Sequence, residues 1–315
     1  MSTIFCVIDG MTDAAFRAAD YAALSAMRLL GDVQTTPDGY DTESLTCILT
    51  LLGVKRIPRK LRGYAEARGA DLAVEPSDLI LRGSWFSVDP GGAIVAPANA
   101  PTARILRNGA YHWLEDYKSL VVLPGLADAL DSIKTRPPYR SAGRAARDFR
   151  PEGHPAIERM FDALCTDHMV MIPWGESAPV SLEPFPQKAA VACGTNIVRG
   201  IARMLGMRLM HVPGATGDVD TDLSAKVDAA MRAADEHPFV LLHVNGADEA
   251  AHRRDPAQKY AFLQKVDALV LNRLLDSRHE IFVASDHGSD PVSGQHIGSA
   301  QPVFARAAQA FTLNV

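Results

Sequence analysis

Short apolar runs that end in polar or glycine residues recur along the chain, and they predict β-strands. The predicted strands are residues 4–8, 79–82, 169–173, 191–193, 239–244 and 281–284. Between most of these runs, apolar residues recur at intervals of three and four, which indicates helices. The predicted helices are residues 44–53, 195–206, 222–236 and 258–275. This alternation predicts an α/β fold: a central sheet with helices on both faces, and ligands bound at the carboxyl ends of the strands.

The segment 89–155 interrupts this alternation. It is rich in proline, glycine, alanine and arginine, and Asp89-Pro90-Gly91-Gly92 is a strong turn sequence. We interpret the segment as an insertion, and we predict a discontinuous core of residues 1–88 and 169–315 with a small inserted cap domain at 89–168. The arginines of the insertion could form an anion-binding patch, although a run of charge more commonly forms a solvated surface.

The composition is that of a globular protein, because 47% of the 315 residues are hydrophobic and 22% are charged. The net charge of −5 gives no global positive field, so we expect no nucleic-acid partner. No apolar run reaches the length of about 18 residues that a membrane helix needs, and the first residues lack a basic segment, so we expect no membrane partner. The four cysteines form no Cys-x-x-Cys motif, which predicts reduced thiols and a cytoplasmic location.

Ionisable side chains follow three of the predicted strands. They are Asp9 after strand 4–8, Asp248 and His252 after strand 239–244, and Asp286, His287 and His296 after strand 281–284. An acid and an imidazole four residues apart share one face of a helix, which is a common way to bind a divalent metal. The mixed nitrogen and oxygen donors suit Zn²⁺ or Mn²⁺, and the set is large enough for two ions. Lys259, one helical turn beyond these residues, is expected at the surface.

Each of these residues also has a purely structural interpretation when it is considered singly. Asp9 could cap a helix, and Asp286 could cap the turn before Gly288. His243, within strand 239–244, could be a core histidine with satisfied hydrogen bonds. Chance explains donor groups at three separate strand ends less easily than a donor group at one. The combination therefore favours a metal site over the structural interpretations.

Seven segments carry motifs that occur in the same order in one known family. They are Val7-Ile8-Asp9-Gly10-Met11-Thr12-Asp13, residues 44–53, 62–69, 200–207, 214–222 and 246–252, and Ser285-Asp286-His287-Gly288 with the later His296. In these motifs the chain resembles the archaeal-type cofactor-independent phosphoglycerate mutases of the alkaline phosphatase superfamily. The resemblance covers residues 4–88 and 169–304. It implies an alkaline-phosphatase-like sheet with helices on both faces and an inserted cap.

The resemblance implies two divalent metal ions, Mn²⁺ or Zn²⁺ with Co²⁺ or Mg²⁺ also possible, and no organic cofactor. One ion would be held by Asp9, Ser44, Asp286 and His287. The other would be held by Asp248, His252 and His296. The catalytic residue would be Ser44, a nucleophile whose hydroxyl becomes more acidic beside the two cations.

The position of Ser44 fits that role, because the predicted helix 44–53 begins there. Unpaired N–H groups and partial positive charge at a helix N-terminus favour a bound phosphate. The alternative is a serine that only caps the helix. The spacing back from Leu51-Leu52-Gly53 selects Ser44 over its neighbours Thr42 and Thr46.

The reaction implied by the resemblance is phosphoryl transfer through a phosphoserine on Ser44. The implied enzyme is an isomerase of glycolysis, a 2,3-bisphosphoglycerate-independent mutase that interconverts 3- and 2-phosphoglycerate. Its partner would be a small phosphorylated substrate, and the oligomeric state is left open. The same two-metal core would also serve a phosphomonoesterase or a small-molecule phosphotransferase, which is the alternative. An inactive metal-binding relative is the third possibility.

The chain differs from that family at positions that would hold the substrate. Residues 89–95 contain no arginine where the family has an arginine-rich stretch. Trp174-Gly175 replaces an Arg-Gly pair of the family, and Leu45 replaces an aspartate. Arginines grip carboxylates and phosphates with two hydrogen bonds, so other arginines would have to supply this contact. The candidate substrate-binding residues are Arg82, Arg140 and Arg144.

Overall fold

The structure is a computed structural model of the chain, and it describes residues 1–103, 106, 109–138, 141–166 and 168–306. The strands are β1 (Thr3–Ile8), β2 (Arg28–Val33), β3 (Leu79–Val88), β4 (Ile94–Pro97), β5 (Ala110–Glu115), β6 (Lys118–Leu123), β7 (Met169–Ser177), β8 (Ala189–Ala192), β9 (Arg208–Leu209), β10 (Phe239–Val244), β11 (Glu280–Ala284), β12 (Gly288–Asp290), β13 (Gln295–Ile297) and β14 (Gln301–Ala305).

The helices are α1 (Ala22–Ser25), α2 (Ser44–Leu51), α3 (Arg62–Gly69), α4 (Pro155–Leu164), α5 (Asn196–Met204), α6 (Leu223–Ala234), α7 (Gly246–His252), α8 (Pro256–Val266) and α9 (Asn272–Leu275). Short 3₁₀ turns lie at Ala18–Asp20, Ala127–Ala129 and Ala146–Phe149, and a π-helical turn at Asp267–Leu271 joins α8 to α9. None of the helices in the described ranges is both long enough and apolar enough to span a membrane.

The chain forms two compact units. The larger unit consists of Met1–Ile57 and Leu182–Val315, and the smaller unit consists of Pro58–Ser181. An insertion in the middle of the chain was predicted at 89–168, and the smaller unit is wider than this at both ends.

The difference lies in β3 and β7, which were predicted as strands of the core. In the structure these two strands pair with each other in antiparallel register, for example Phe86 with Val170, and they belong to the smaller unit. Their apolar runs have the same pattern as the strands of the larger unit, so the pattern alone does not reveal which sheet they join. The role of the insertion as a cap remains a prediction.

The larger unit contains a seven-stranded sheet in the order β2-β14-β11-β1-β10-β8-β9. Strands β11, β1, β10, β8 and β9 run parallel. At one side of them, β14 pairs with β11 in antiparallel register, and β2 pairs with β14 in antiparallel register. The register aligns Ile8 with Val244 and Val7 with Ala284. The residues that follow β1, β10 and β11 therefore emerge side by side at one edge of the sheet. The predicted α/β class is confirmed.

Both faces of this sheet are buried. On one face, Ile4, Cys6 and Ile8 of β1 belong to an apolar cluster that includes β10, α6 and α8. Because side chains alternate between the two faces of a strand, Val7 and Leu241 point to the opposite face, and they are also fully buried. The sheet is therefore covered on both sides. The polar side chains that could bind a ligand or take part in catalysis lie at the ends of its strands.

The smaller unit contains its own five-stranded antiparallel sheet. Strand β3 pairs with β7 along one side. Along its other side, the first part of β3 pairs with β6 and the last part pairs with β4, and β5 extends the sheet beyond β6. Helix α4 packs on this sheet through Ile157 and Leu164, which share an apolar cluster with Leu81 and Trp85 of β3. The smaller unit thus has a hydrophobic core of its own.

The core of the larger unit generates a stability prediction. Leu242 of β10 is fully buried within the main apolar cluster, whereas Leu29 of β2 is 56% exposed. We expect Leu242→Ala to lower the free energy of unfolding by about 2–5 kcal/mol, because the cavity adds to the lost transfer energy. Leu29→Ala, the matched control, should change it by less than about 0.5 kcal/mol. Urea unfolding followed by circular dichroism measures both, and equal shifts would contradict the assigned core.

Candidate metal centre

Three loops converge at the carboxyl edge of the larger sheet. Asp9 directly follows β1 and its backbone N–H donates to the carbonyl of Val244, at a distance of 2.9 Å. Gly10, the next residue, has a φ of +66°, and a Cβ placed there would lie 2.8 Å from both Asp248 Cα and Ser289 Oγ. Glycine is therefore required at this point, because it lets the backbone approach α7 and β12 closely.

One group of donors comes from α7 and from β13. Helix α7 places Asp248 and His252 one turn apart on the same face, with His252 Nε2 3.2 Å from Asp248 Oδ2. His296 of β13 brings its Nε2 to 3.5 Å from Asp248 Oδ1 and to 3.1 Å from His252 Nε2. This confirms the predicted helical geometry of the Asp248 and His252 pair. The three side chains form one cluster whose donor atoms lie within 4.8 Å of one another.

Backbone carbonyls fix the orientation of these two imidazoles. The Nδ1–H of His252 donates to the Gly294 carbonyl at 3.0 Å, and the Nδ1–H of His296 donates to the Thr42 carbonyl at 2.7 Å. Such contacts hold the ring in the tautomer whose Nε2 lone pair is available to a metal. Both Nε2 atoms therefore face Asp248 and each other, as two ligands of one ion would.

The second group of donors surrounds Asp9. His287 Nε2 lies 3.4 Å from Asp9 Oδ1 and 3.5 Å from Asp286 Oδ2. The hydroxyl of Ser44 donates to Asp9 Oδ2 at 3.2 Å, and it lies 3.3 Å from His287 Nε2. Asp9, Asp286 and His287 are all fully buried. The structure thus brings together the four residues of the first predicted ligand set.

Ser44 is the first residue of α2, and Glu43 holds the N-cap position. Its hydroxyl donates to Asp9 and lies beside His287, so the contact expected of a capping serine is not the one observed. The side chain is half-buried, which leaves it accessible to a small molecule. Its position at the N-terminus of α2 agrees with the predicted start of this helix.

The charged groups of the cluster shift the pKa values of their neighbours. Burial, together with the nearby Asp286 and Asp248, raises the pKa of Asp9 well above its ordinary value. At Asp248, burial acts upward, but His252 and His296 outweigh it and lower the pKa of that carboxyl. Asp248 in turn raises the pKa of His252 to about 9. These shifts follow from the close packing of acids and imidazoles in one buried cluster.

Unpartnered oxygens give an independent test of whether metal ions fit. Among the described residues, Asp9 Oδ1 and Asp286 Oδ2 are buried and have no hydrogen-bond partner. Buried carboxylate oxygens are almost always hydrogen-bonded or bound to a cation. The oxygen and imidazole donors of the two groups are ligands that divalent first-row metals accept. The residues present therefore fit divalent cations.

The sequence-based assignment left out His243 of β10. This side chain is fully buried, and its Nε2 lies 3.5 Å from Asp9 Oδ2. The expected core histidine with satisfied hydrogen bonds is wrong, because neither ring nitrogen has a partner among the described residues. Burial, with the charge of Lys226, lowers the pKa of His243 to about 3, so the ring is neutral. Its place near the carboxyl end of a strand beside β1 was the available indication.

The expected surface position of Lys259 is also wrong. Lys259 of α8 is fully buried, and its Nζ donates to Asp13 Oδ2 and to the Ser289 carbonyl, each at 2.6 Å, and to the Thr12 carbonyl at 3.3 Å. Ser289 Oγ in turn donates to Asp248 Oδ1 at 2.5 Å. The ammonium group therefore joins the loops that follow β1 and β11, because three oxygen atoms from those loops accept its protons.

A family comparison agrees with this geometry. Residues 120–309, more than half of the chain, match the model of the metalloenzyme superfamily. The chain belongs to the metalloenzyme superfamily. Membership implies divalent metal ions, in agreement with the donor groups described above. Residues 27–105 match a second model, that of the 2,3-bisphosphoglycerate-independent phosphoglycerate mutases.

Individual proteins are also similar to the chain. A 2,3-bisphosphoglycerate-independent phosphoglycerate mutase from Methanothermobacter thermautotrophicus is 26% identical, over 89% of this chain and 79% of the relative. The corresponding mutase from Methanoculleus marisnigri is 27% identical, over 96% of this chain and 87% of the relative. These relatives confirm the resemblance to the cofactor-independent mutases that the sequence motifs indicated.

Two solved structures share the fold of this metalloenzyme. A protein from Pyrococcus horikoshii has a TM-score of 0.66 at 18% identity, with 96% of this chain and 87% of that chain covered. A cofactor-independent phosphoglycerate mutase from Thermoplasma acidophilum has a TM-score of 0.52 at 17% identity, with 99% and 91% covered. At this level of identity the structural similarity supports the fold.

The candidate substrate-binding arginines lie in the smaller unit. Arg82 is 3% exposed and forms an ion pair with the equally buried Glu66, with Nη1 2.7 Å from Oε1. Arg144 is exposed, and its guanidinium lies over the Phe149 ring at 4.5 Å from the centroid. Arg140 lies outside the described residues. The substrate-binding role of these residues remains a prediction.

The buried ion pair of Lys259 generates a prediction about this metalloenzyme. We expect Lys259→Met to lower the free energy of unfolding by about 3–5 kcal/mol, because Asp13 would remain buried without its partner. Lys265→Met, which removes an exposed lysine from the same helix, is the matched control and should change it by less than about 0.5 kcal/mol. Chemical unfolding of the two variants checks this. Equal stability of both would show that the buried pair does not anchor the loops.

Proposed function

We propose that this metalloenzyme is a phosphoryl-transfer enzyme of the cofactor-independent phosphoglycerate mutase type. In this proposal it interconverts 3- and 2-phosphoglycerate, as an isomerase of glycolysis, through a phosphoserine on Ser44. The observation that carries the proposal is the hydroxyl of Ser44, which lies between Asp9 and His287 at the N-terminus of α2. The mutase names of the similar proteins support the choice of substrate.

Two divalent ions are part of the proposal. Asp9, Ser44, Asp286 and His287 would hold one, and Asp248, His252 and His296 would hold the other. When bound, such ions lower the pKa of a coordinated hydroxyl and neutralise the charge that develops on the phosphoryl oxygens. The donor set suits Mn²⁺ or Zn²⁺, with Co²⁺ or Mg²⁺ also possible, and no organic cofactor is proposed.

The residues of the chain supply orientation and proton handling. Asp9 accepts the hydrogen bond of the Ser44 hydroxyl and thereby directs the oxygen lone pairs toward an incoming phosphoryl group. The N–H groups of the first turn of α2 and the partial positive charge there favour the phosphoryl oxygens. In the first transfer the Ser44 hydroxyl gives up its proton, a bond forms between Ser44 Oγ and phosphorus, the phosphorus–oxygen bond of the substrate breaks, and the released glycerate oxygen takes up a proton. In the second, the other glycerate hydroxyl gives up its proton and attacks the phosphoserine. The bond between phosphorus and Ser44 Oγ breaks, and Ser44 Oγ takes up a proton.

The predicted role of the smaller unit as a cap belongs to the same proposal. A cap would exclude water while the glycerate reorients, so that the phosphoserine is not hydrolysed. Of the proposed substrate-binding arginines, Arg144 has stronger support than Arg82, because its exposed side chain is accessible to a substrate. The guanidinium of Arg82 is already engaged by Glu66. A cytoplasmic location is also proposed, and the four free cysteines support it.

A phosphomonoesterase or a small-molecule phosphotransferase is the second candidate. The feature that favours it is the missing arginine-rich stretch, because residues 89–95 contain no arginine. In addition, Trp174 stands where the mutases carry an arginine, and its indole N–H donates to Ser84 Oγ within the smaller unit. Both enzymes would use the same metal centre and the same serine, and they differ in the group that accepts the phosphoryl from Ser44.

The products distinguish these candidates. We expect the metal-loaded protein to convert 3-phosphoglycerate to 2-phosphoglycerate with no stoichiometric release of inorganic phosphate. Phosphorus NMR follows both products in one sample, and a chelator-treated sample is the control, in which turnover should cease. Release of inorganic phosphate without 2-phosphoglycerate would contradict the mutase proposal and support the phosphomonoesterase.

The role of Ser44 has its own test. We expect Ser44→Ala to lower turnover by at least about 10³-fold at saturating metal, because the residue that forms the covalent intermediate is lost. Thr50→Ala, at the other end of α2, is the matched control and should keep activity within about twofold. Comparable turnover of the Ser44 variant and the wild-type protein would show that the phosphoryl group does not pass through this residue.

A further inference from the structure

His243 belongs to neither of the two proposed ligand sets, although its side chain lies beside Asp9 of one of them. Its side chain is fully buried at the carboxyl-terminal half of β10, next to β1. Neither ring nitrogen meets a hydrogen-bond partner within the described part of the chain. A neutral imidazole carries one N–H donor and one lone pair. Burial without partners leaves both without a hydrogen bond, which costs free energy.

The groups around His243 indicate the kind of ligand that fits there. Asp9 Oδ1 and Asp286 Oδ2 are likewise buried without partners among the described residues. The donor atoms of Asp9, His243 and Asp286 all lie within 4.8 Å of one another, close to the span of about 4.2 Å across an ion bound at about 2.1 Å. Two carboxylates, each with one unpartnered oxygen, and an imidazole without hydrogen-bond partners lie together here, and they match the ligand requirements of a cation.

His243 and His287 contact different carboxylate oxygens of Asp9. His287 Nε2 is 3.4 Å from Asp9 Oδ1, whereas His243 Nε2 is 3.5 Å from Asp9 Oδ2. The two imidazoles therefore do not compete for the same carboxylate oxygen. The parallel register of β1 and β10, which pairs Val7 with His243, fixes His243 beside the strand end that carries Asp9.

We propose that His243 is an additional ligand of the cation held by Asp9 and Asp286. The centre would then contain four imidazoles, those of His243, His252, His287 and His296. An added imidazole favours ions that accept nitrogen ligands, such as Zn²⁺, Co²⁺ and Mn²⁺, over Mg²⁺, which prefers oxygen. The inference rests on the metal-binding part of the proposed function and is independent of the reaction catalysed.

Calorimetric titration of the metal-free protein with Co²⁺ tests the role of His243. We expect the wild-type protein to bind two ions and His243→Gln to bind one of them at least tenfold more weakly, with the other unchanged. Mg²⁺ affinity should change less than Co²⁺ affinity, because glutamine still offers an oxygen. The visible absorption of bound Co²⁺, which reports its ligands, should also change. His279→Gln is the matched control, because His279 is buried with an unpartnered Nδ1 among the described residues and belongs to none of the donor groups.

The possible outcomes separate the inference from the proposed function. If the wild-type protein binds no ion, the proposed metal chemistry itself fails. If it binds two ions and His243→Gln binds both with unchanged affinity and spectrum, the inference is overturned. Should the variant not fold, anomalous diffraction from Co²⁺-loaded wild-type crystals decides. An ion within about 2.2 Å of a His243 nitrogen supports the proposal, and separation beyond about 3 Å from both nitrogens overturns it.

Discussion

Three carboxylates, those of Asp9, Asp248 and Asp286, are buried close together at the carboxyl edge of the larger sheet. Burial of like charges is costly unless positive charge accompanies them. Within the chain, the compensation is partial: His252 and His296 face Asp248, and the pKa of Asp9 rises. The surrounding imidazoles with their Nε2 atoms directed inward, and the unpartnered carboxylate oxygens, are best explained by bound cations. The proposed chemistry of Ser44 depends on this arrangement.

The fold supplies the precision that such a cluster needs. The parallel register of β1, β10 and β11 brings three loops to one edge, and Gly10 allows them to approach within contact distance. Lys259 then joins the segments that follow β1 and β11 through hydrogen bonds of its ammonium group, and Ser289 donates a hydrogen bond to Asp248. Groups that orient metal ligands commonly affect metal affinity nearly as much as the ligands themselves. The stability of the larger unit and the geometry of its centre are therefore connected.

Much of the larger unit could be predicted from the sequence, because its signals are local. Strand 239–244 agrees with β10 at both ends, and helix 44–53 agrees with the start of α2 at Ser44. Asp248 and His252 could be placed on one helix face, since their spacing of four residues needs no knowledge of the rest of the fold. The motif resemblance then grouped residues that are distant along the chain, and the structure brings those groups together.

The predictions that failed required information about contacts between distant residues. β3 and β7 have the apolar pattern of core strands, and only their mutual pairing reveals that they belong to the smaller unit. Lysine is a residue type that usually lies at the surface. Lys259 is buried because three oxygen atoms from segments distant in sequence accept its hydrogen bonds. The sequence alone does not distinguish a buried strand histidine without hydrogen-bond partners, such as His243, from one whose hydrogen bonds are satisfied.

The most direct test of the account is the metal content of the purified chain after equilibrium dialysis against Mn²⁺ or Zn²⁺, combined with its thermal unfolding. The account predicts two ions per chain and an unfolding temperature that rises with the concentration of free metal, because ions that bind only the folded state stabilise it. A chain that retains no divalent ion at saturation, and unfolds at the same temperature with and without metal, would contradict it.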